Sequence, residues 1–261
     1  MRASTAAERT SSWLVSSSLA QRIASVALFV VVWQVTAEVL HSRLLPTATA
    51  VFVTLVHLCA NGSLPFNLGI TLARVAAAFF VAMIVGTAIG IVMGRSRTID
   101  VLFDSWLVLL LNLPALVIIV LAYVWFGLTE AAAIGAVAVN KIPAVAVTLR
   151  EGARALDRSY ADMAQSFQMG RWRTLRHVIM PQLYPYIFAA ARSGLALVWK
   201  IVLIVELLGR SNGVGFEIQL YFQQFDVTRI LAYTIAFVAV IQLIEWAAFQ
   251  PLERRAARWR P

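Results

Sequence analysis

Few residues in this sequence have types and spacing suited to chemistry, and the most conspicuous are two lysines within apolar stretches. Lys141 and Lys200 are the only lysines among the 261 residues. Cys59 is the only cysteine, so the sequence predicts neither an intrachain disulfide nor a cysteine-based metal site. The three histidines are scattered along the chain, and no nucleophile and base recur in a recognisable pattern. We therefore predict no catalytic site, no metal site and no enzymatic activity.

The elements that carry these lysines are predicted to be membrane spans. The chain is 61% hydrophobic and 13% charged, with a mean hydropathy of +0.79, which excludes an ordinary soluble domain. Runs of about 20 apolar residues predict an all-α polytopic membrane protein. We predict six spans, at about residues 23–40, 72–94, 101–126, 131–149, 187–209 and 230–249. They leave a tail at 1–22, a long polar loop at 150–186 and a second tail at 250–261.

Two local patterns predict how the spans bend and pack. Asn112-Leu113-Pro114 interrupts the third span, and because proline lacks a backbone N–H we expect a kink or a break there. Gly86, Gly90 and Gly94 recur at four-residue intervals in the second span. Such a stripe of small residues predicts close approach of another helix.

The distribution of basic residues predicts the orientation of the chain. Of the 22 lysines and arginines, 15 lie in the tails, in the loop after residue 94 and in the loop after residue 149, and three lie on the opposite side. Basic residues collect in cytoplasmic loops, so we predict that both termini and the polar loop are cytoplasmic. This orientation accounts for the net charge of +9 without a nucleic-acid partner.

The polar loop is predicted to form two short amphipathic helices with a turn at Gln168–Gly170. The second helix is expected to end at Pro181 and Pro185, before the fifth span. The first helix has an apolar stripe made of Tyr160, Met163, Ala164 and Phe167. Such a stripe could lie on lipid or fit a groove on a partner protein.

The spacing in this loop resembles the EAA motif, E-A-A-x3-G-x9-I-x-L-P, of binding-protein-dependent ABC importer permeases. With Pro181 at the proline, Met180 stands at the leucine and Val178 at the isoleucine. Gln168 then stands at the glycine, and Gly170 is a second candidate for the turn. The E-A-A positions are occupied by Asp162, Met163 and Ala164. By this resemblance these eight residues form the loop that couples a permease to its ATPase.

Three further segments resemble the nitrate, sulfonate and taurine permeases: Thr71–Phe79, Asn112–Gly127 and Glu206–Phe216. The resemblance implies a six-span, type I ABC importer fold in the bacterial cytoplasmic (inner) membrane, surrounded by lipid. It implies a second permease copy, cytoplasmic ABC ATPase subunits and a periplasmic substrate-binding protein as partners. The chain contains no G-x4-G-K-[ST] phosphate loop, so ATP and Mg²⁺ are expected on the ATPase and no cofactor on this chain. The cargo stays open among sulfonates, taurine, nitrate and pyrimidine-type thiamine precursors.

Two functions follow for the lysines within the spans. In an ABC importer permease, Lys141, Lys200 and Glu206 are candidates to line a translocation path for a small anion that is moved by ATP-driven alternating access. The lysines could instead pair with Glu206 or Glu245, or snorkel to the interface. The alternative function is an ion-coupled secondary transporter that uses the same three residues as coupling groups. Secondary carriers often contain internal repeats, and none is evident here.

Overall fold

The computed structural model describes residue 21 and residues 24–42 and 44–249 of the chain. Within them the regular structure is helical and contains no strand, which confirms the all-α prediction. The predicted tails at 1–22 and 250–261 lie outside the described residues, apart from Gln21. In chain order the helices are α1 Ala24–Leu40, α2 Ala48–Ala60, α3 Ser63–Arg95, α4 Arg97–Asn112, α5 Ala115–Phe126, α6 Glu130–Arg154, α7 Arg158–Ser166, α8 Arg171–Thr174, α9 Met180–Gly209, α10 Val214–Gln223 and α11 Val227–Ile244. A π-helical turn, Leu175–Ile179, joins α8 to α9, and a second, Glu245–Phe249, extends α11.

Four helical segments of the described chain are long and apolar enough to cross a membrane: Ser63–Arg95, Glu130–Arg154, Trp172–Gly209 and Val227–Ala247. α4 and α5 together make a fifth candidate, although their axes differ by 97°. The described part of α1, Ala24–Leu40, is shorter than the roughly 20 residues that a span needs. The described residues therefore contain four candidate spans, or five if α4 and α5 form one span, and the predicted count of six is not exact.

The break between α4 and α5 falls where the sequence predicted it. Leu113 has an extended backbone, with φ −72° and ψ 126°, and Pro114 precedes the first turn of α5. Proline disfavours a helical conformation of the preceding residue, and this turns the chain out of α4. The predicted kink or break is confirmed as a break, and the bend is sharper than a kinked span would have.

α3 is longer than the predicted second span. It begins at Ser63 instead of Leu72 and runs for 33 residues, or about 50 Å at 1.5 Å per residue. The preceding polar segment also contains α2, whose N-cap Thr47 accepts a hydrogen bond from the amide of Ala50 at 3.3 Å. α3 therefore extends beyond a hydrocarbon core of about 30 Å.

α3 and α6 pack closely along the glycine stripe. A Cβ atom added at Gly86, Gly90 or Gly94 would lie 2.6–2.7 Å from a Cβ atom of α6, at Val145, Leu149 and Ala153 respectively. These distances are shorter than van der Waals contact, so larger side chains would separate the helices. The predicted packing role of the stripe is confirmed. It holds α6, which leads into the polar loop, against α3.

Candidate functional site

The first helix of the polar loop, α7, begins at a capped N-terminus. Asp157 is the N-cap residue, and its carboxylate accepts a hydrogen bond from the amide of Ser159 at 2.8 Å. Hydrogen bonds from the Ser159 side chain and backbone lower the pKa of the Asp157 carboxyl. The carboxylate is therefore ionised at neutral pH, and its negative charge complements the positive end of the helix dipole.

The turn that ends α7 has the hydrogen bonds of a Schellman motif. The amide of Gln168 donates to the carbonyl of Gln165 at 2.9 Å, and the amide of Met169 donates to the carbonyl of Ala164 at 2.9 Å. Gln168 has a φ of +49°, in the left-handed region that favours glycine. Gly170 does not have a positive φ. The left-handed residue of the turn is thus Gln168, where the motif spacing places glycine, and not Gly170.

The motif residues divide between a buried and an exposed set. Ala164 is 2% exposed and Val178 is 8% exposed, and α7 packs against the π-helical turn that carries Val178. Met180 is half-buried, whereas Asp162, Met163, Gln168, Gly170 and Pro181 are exposed. The predicted apolar stripe also divides, because Tyr160, Met163 and Phe167 point away from the chain. Phe167 and the neighbouring Trp172 are 74% and 73% exposed.

The prediction that Pro181 and Pro185 end the second loop helix is wrong. The helix runs without a break from Trp172 to Gly209 and includes both prolines. The π-helical turn lies immediately before them, and the amide of Met180 donates to the carbonyl of Leu175 across it. Pro181 lies in the first turn of α9, where a missing N–H costs little. The second helix of the polar loop is therefore continuous with the helix that forms the predicted fifth span.

Gln182 joins the start of α7 to α9. Its side-chain oxygen accepts a hydrogen bond from the amide of Asp157 at 3.1 Å, and its side-chain nitrogen donates to the carbonyl of Val178 at 2.9 Å. On the α6 side, a Cβ atom added at Gly152 would lie 2.6 Å from the Tyr186 ring, so α6 and α9 are in close contact there. The loop is thus held at both ends.

An ion cluster lies at the cytoplasmic base of the same loop by the predicted orientation. Arg150 contacts Asp100 at 3.3 Å and also pairs with Asp104. Arg154 pairs with Asp100 and contacts Glu151 at 3.1 Å. These contacts connect the last turns of α6 to the first turns of α4. The ion cluster thus connects the base of the polar loop to α4, the first helix of the broken α4–α5 pair.

A second charged network, centred on Arg74 of α3, lies at the opposite end of the helices. Its guanidinium donates to Glu206 of α9 at 2.8 Å and to Glu130, at the start of α6, at 2.6 and 2.9 Å. It also donates to the backbone carbonyl of Asn212 at 2.8 Å and to the side chain of that residue. Arg210 contacts Glu130 as well. Arg74 thereby links α3, α6 and α9 to the loop before α10.

Glu206 is the buried acceptor of this network. It is 0% exposed and accepts hydrogen bonds from the Thr71 hydroxyl and the Gly215 amide, each at 2.9 Å. Asn67 accepts a hydrogen bond from the Gly213 amide at 2.8 Å. The Glu206 carboxylate therefore accepts hydrogen bonds from Thr71, Arg74 and Gly215 within the described chain.

The two lysines differ in environment, and neither forms an ion pair with Glu206, which pairs with Arg74. Lys141 is 3% exposed, and its Cε lies 2.7 Å from the position that a Cβ of Gly194 would take. Lys200 is exposed on the surface of α9. In the described part of the chain no ion pair or hydrogen bond reaches either ammonium group. The alternative in which Glu206 neutralises a lysine is wrong, since Arg74 occupies that carboxylate.

Several residues of the Arg74 network were not singled out from the sequence. A signal was present: Asn67, Thr71 and Arg74 recur at intervals of four and three residues, which places them on one face of α3. A polar stripe that includes a charge within an apolar helix requires partners elsewhere. The sequence alone did not identify them, because Glu206 lies 132 residues away.

Comparison with known proteins agrees with this architecture. Residues 86–250 match the family described as "Binding-protein-dependent transport system inner membrane component". The chain is 30% identical over 234 residues to "Putative aliphatic sulfonates transport permease protein SsuC" of Escherichia coli (strain K12), covering 89% of each chain. It is 27% identical over 254 residues to "Taurine transport system permease protein TauC" of the same organism, covering 95% of this chain and 92% of that protein.

Among solved structures, the chain is similar to one described as "Crystal structure of an amino acid ABC transporter with histidines". The TM-score is 0.57 at 24% identity, covering 77% of this chain and 97% of the other, and this shows a shared fold. The match to the family covers more than half of the chain and favours an ABC importer permease over an ion-coupled secondary transporter. This multi-pass membrane protein belongs to the family of inner membrane components of binding-protein-dependent transport systems and is the permease subunit of an ABC importer.

Proposed function

We propose that this permease imports a small anionic solute as a homodimer, together with cytoplasmic ATPase subunits and an extracytoplasmic substrate-binding protein. ATP and Mg²⁺ are bound by the ATPase, and the permease alternates between outward-open and inward-open states. The termini and the polar loop face the cytoplasm. The observation that carries this proposal is the exposed apolar face of α7, because that face lacks a partner within the described chain.

The geometry of α7 suits docking into a groove. Met163 and Phe167 lie one turn apart on the exposed face, and Tyr160 continues that face toward the N-terminus. Amphipathic helices bind partner proteins through anchors at this spacing. The hydrogen bonds of Gln182 and the continuous helix from Trp172 to Gly209 would transmit a displacement of α7 to the membrane span.

The substrate class follows from charge and from the relatives. The two relatives are described as permeases for aliphatic sulfonates and for taurine, and both kinds of solute carry a sulfonate group. Lys141 and Lys200 are cations within the predicted spans and have no acidic partner in the described residues. We therefore propose an oxyanion-bearing solute as the cargo. Glu206, an earlier candidate for the path, is assigned to the Arg74 network instead.

Substitution of one exposed anchor tests the docking surface. Phe167→Ala removes an aromatic side chain that is 74% exposed, so the permease itself should fold normally. Loss of an aromatic anchor typically costs more than about 1 kcal/mol, so we expect affinity for the purified ATPase to fall about fivefold or more. The measurement is a binding titration of the ATPase against the permease in nanodiscs.

Phe66→Ala is the matched control, because Phe66 is 64% exposed and lies in the first turn of α3, at the opposite end of the helices from α7. If Phe167→Ala leaves the ATPase affinity unchanged, the ATPase binds a surface of the permease other than the exposed face of α7. Uptake should also stop when the ATPase loses ATP hydrolysis and should persist under an uncoupler. Uptake that ignores the ATPase and stops with the uncoupler would contradict the proposed importer.

A further inference from the structure

With the outer interface placed at Gly209, the last residue of α9, Lys200 lies near the middle of the membrane. It precedes Gly209, the last residue of α9, by nine positions, which corresponds to about 13–14 Å along the helix axis. Half of a hydrocarbon core is about 15 Å. A lysine side chain is shorter than that distance, so the ammonium group of Lys200 cannot reach the outer interface by snorkelling.

Lipid does not suit the surface around Lys200. A charged group facing hydrocarbon at this depth is costly, and such residues normally face a protein partner or water. Ser193, Ala196 and Lys200 follow one another at intervals of three and four and are all exposed on α9, with Leu197 (49% exposed) and Ile204 (38% exposed) on the same face. The lipid-type surface of α3 presents Phe80 and Ile84, which are 61% and 69% exposed, and carries no charged side chain there.

Lys141 places a second lysine side chain against the same helix. Its side chain is 3% exposed and lies against Gly194, which follows Ser193 in the sequence. Gly194 and Lys200 are six residues apart, or about 9 Å along α9. In the described part of the chain neither lysine has an acidic partner. The exposed ammonium group of Lys200 is therefore available to an anion from outside the chain.

We propose that Lys200 and the partner subunit's Lys200 face each other across the translocation path and together bind the oxyanion group of the transported solute. The inference rests on the proposed homodimer and deepens the proposed function, because it assigns the substrate charge to a site that neither copy completes alone. Two cations facing each other repel when the path is empty, and an anion between them removes that repulsion.

Cysteine chemistry tests whether Lys200 faces water and a second copy. Cys59 is the only native cysteine, so Cys59→Ser provides a cysteine-free background. In that background Lys200→Cys should react with water-soluble methanethiosulfonate reagents and should be linked into a dimer by a bifunctional methanethiosulfonate cross-linker. A cross-linker with a spacer is needed because two lysines with an anion between them hold their Cα atoms farther apart than the about 7 Å that a direct disulfide allows. Ile84→Cys, on the lipid-type surface of α3, is the matched control and should do neither. A Lys200→Cys protein that is inert to both treatments would overturn the inference.

Transport measurements separate this inference from the proposed function. The probes are methanesulfonate, taurine and nitrate, taken up by the complete importer in proteoliposomes. For a probe that the Cys59→Ser importer transports, Lys200→Cys should lower uptake about tenfold, equivalent to about 1.4 kcal/mol. Aminoethyl methanethiosulfonate, which restores an ammonium group, should recover uptake, and the sulfonatoethyl reagent should not.

The outcomes are distinct. Uptake of none of the probes by the Cys59→Ser importer would contradict the anionic cargo that the inference requires. Uptake that Lys200→Cys leaves unchanged would contradict the role of Lys200 and leave the importer function standing. Recovery with the sulfonatoethyl reagent as well would show that side-chain volume matters at this position instead of charge, and would also overturn the inference.

Discussion

Gln168 has a backbone conformation that residues with a Cβ atom rarely adopt. Its φ of +49° lies in the left-handed region, which costs an L-residue roughly 1–2 kcal/mol and costs glycine almost nothing. We therefore expect Gln168→Gly to stabilise the end of α7 by about 1 kcal/mol. Amide hydrogen exchange of α7 in nanodiscs measures this, and protection of the Ala164–Met169 turn should increase.

Gly170→Ala provides the comparison for that substitution. Gly170 lacks a positive φ and has open space where a Cβ would lie, so its replacement should leave the exchange pattern of α7 nearly unchanged. An exchange pattern in which Gly170→Ala disturbs the turn and Gln168→Gly has no effect would mean that Gly170 is the left-handed residue.

Individual residues also show what the sequence could and could not predict. Counting from Pro181 placed Gln168 at the glycine position, and the left-handed φ agrees with that local spacing. Local spacing carries no information about distant pairing. For this reason Glu206 was considered as a partner of the lysines or as a path residue, whereas the structure pairs it with Arg74.

At the scale of elements, one side chain joins the N-terminus of α7 to α9 by hydrogen bonds. Gln182 accepts from the amide of Asp157 and donates to the carbonyl of Val178. Each net hydrogen bond contributes about 1 kcal/mol, so Gln182→Leu should loosen α7 relative to the span while its apolar docking face stays intact. We expect ATPase binding to persist and the stimulation of ATP hydrolysis by the loaded substrate-binding protein to fall several-fold.

Gln182→Glu is the informative control for this element. A glutamate retains the acceptor for the Asp157 amide and loses the donor to the Val178 carbonyl, so its stimulation should fall between those of the native protein and Gln182→Leu. Equal stimulation in all three proteins would mean that displacement of α7 reaches the span by another route, such as the ion cluster at Arg150.

Elements were predictable from the sequence where a pattern had one structural consequence. The glycine stripe of α3 and the break at Pro114 both have this character, and both predictions are confirmed. Pro181 and Pro185 have two possible consequences, because proline either ends a helix or lies within one when the surroundings accommodate it. The π-helical turn before Pro181 favours continuation here, and no sequence pattern announced that turn.

At the scale of the whole molecule, the spans are tied at both ends by charged groups. The Arg150 cluster connects α6 to α4, and the Arg74 network connects α3, α6 and α9 to the loop before α10. Hydropathy predicted most of the apolar helices and the charge asymmetry predicted an orientation. Neither property encodes the 97° bend of α4 and α5 or the short described part of α1, Ala24–Leu40, so the count of six spans is not exact.

The Arg74 network gives the sharpest stability prediction for the whole molecule. Arg74→Ala would leave the fully buried Glu206 carboxylate without its counter-charge, and such losses typically destabilise a protein by about 3–5 kcal/mol. Glu206→Gln should cost less, because Arg74 keeps Glu130 and Asn212 as acceptors. Thermal unfolding of the purified permease should therefore rank Arg74→Ala well below Glu206→Gln, and the double variant should recover part of the loss as a non-additive coupling. Additive effects of the two substitutions would show that Arg74 and Glu206 do not act as a pair across α3 and α9.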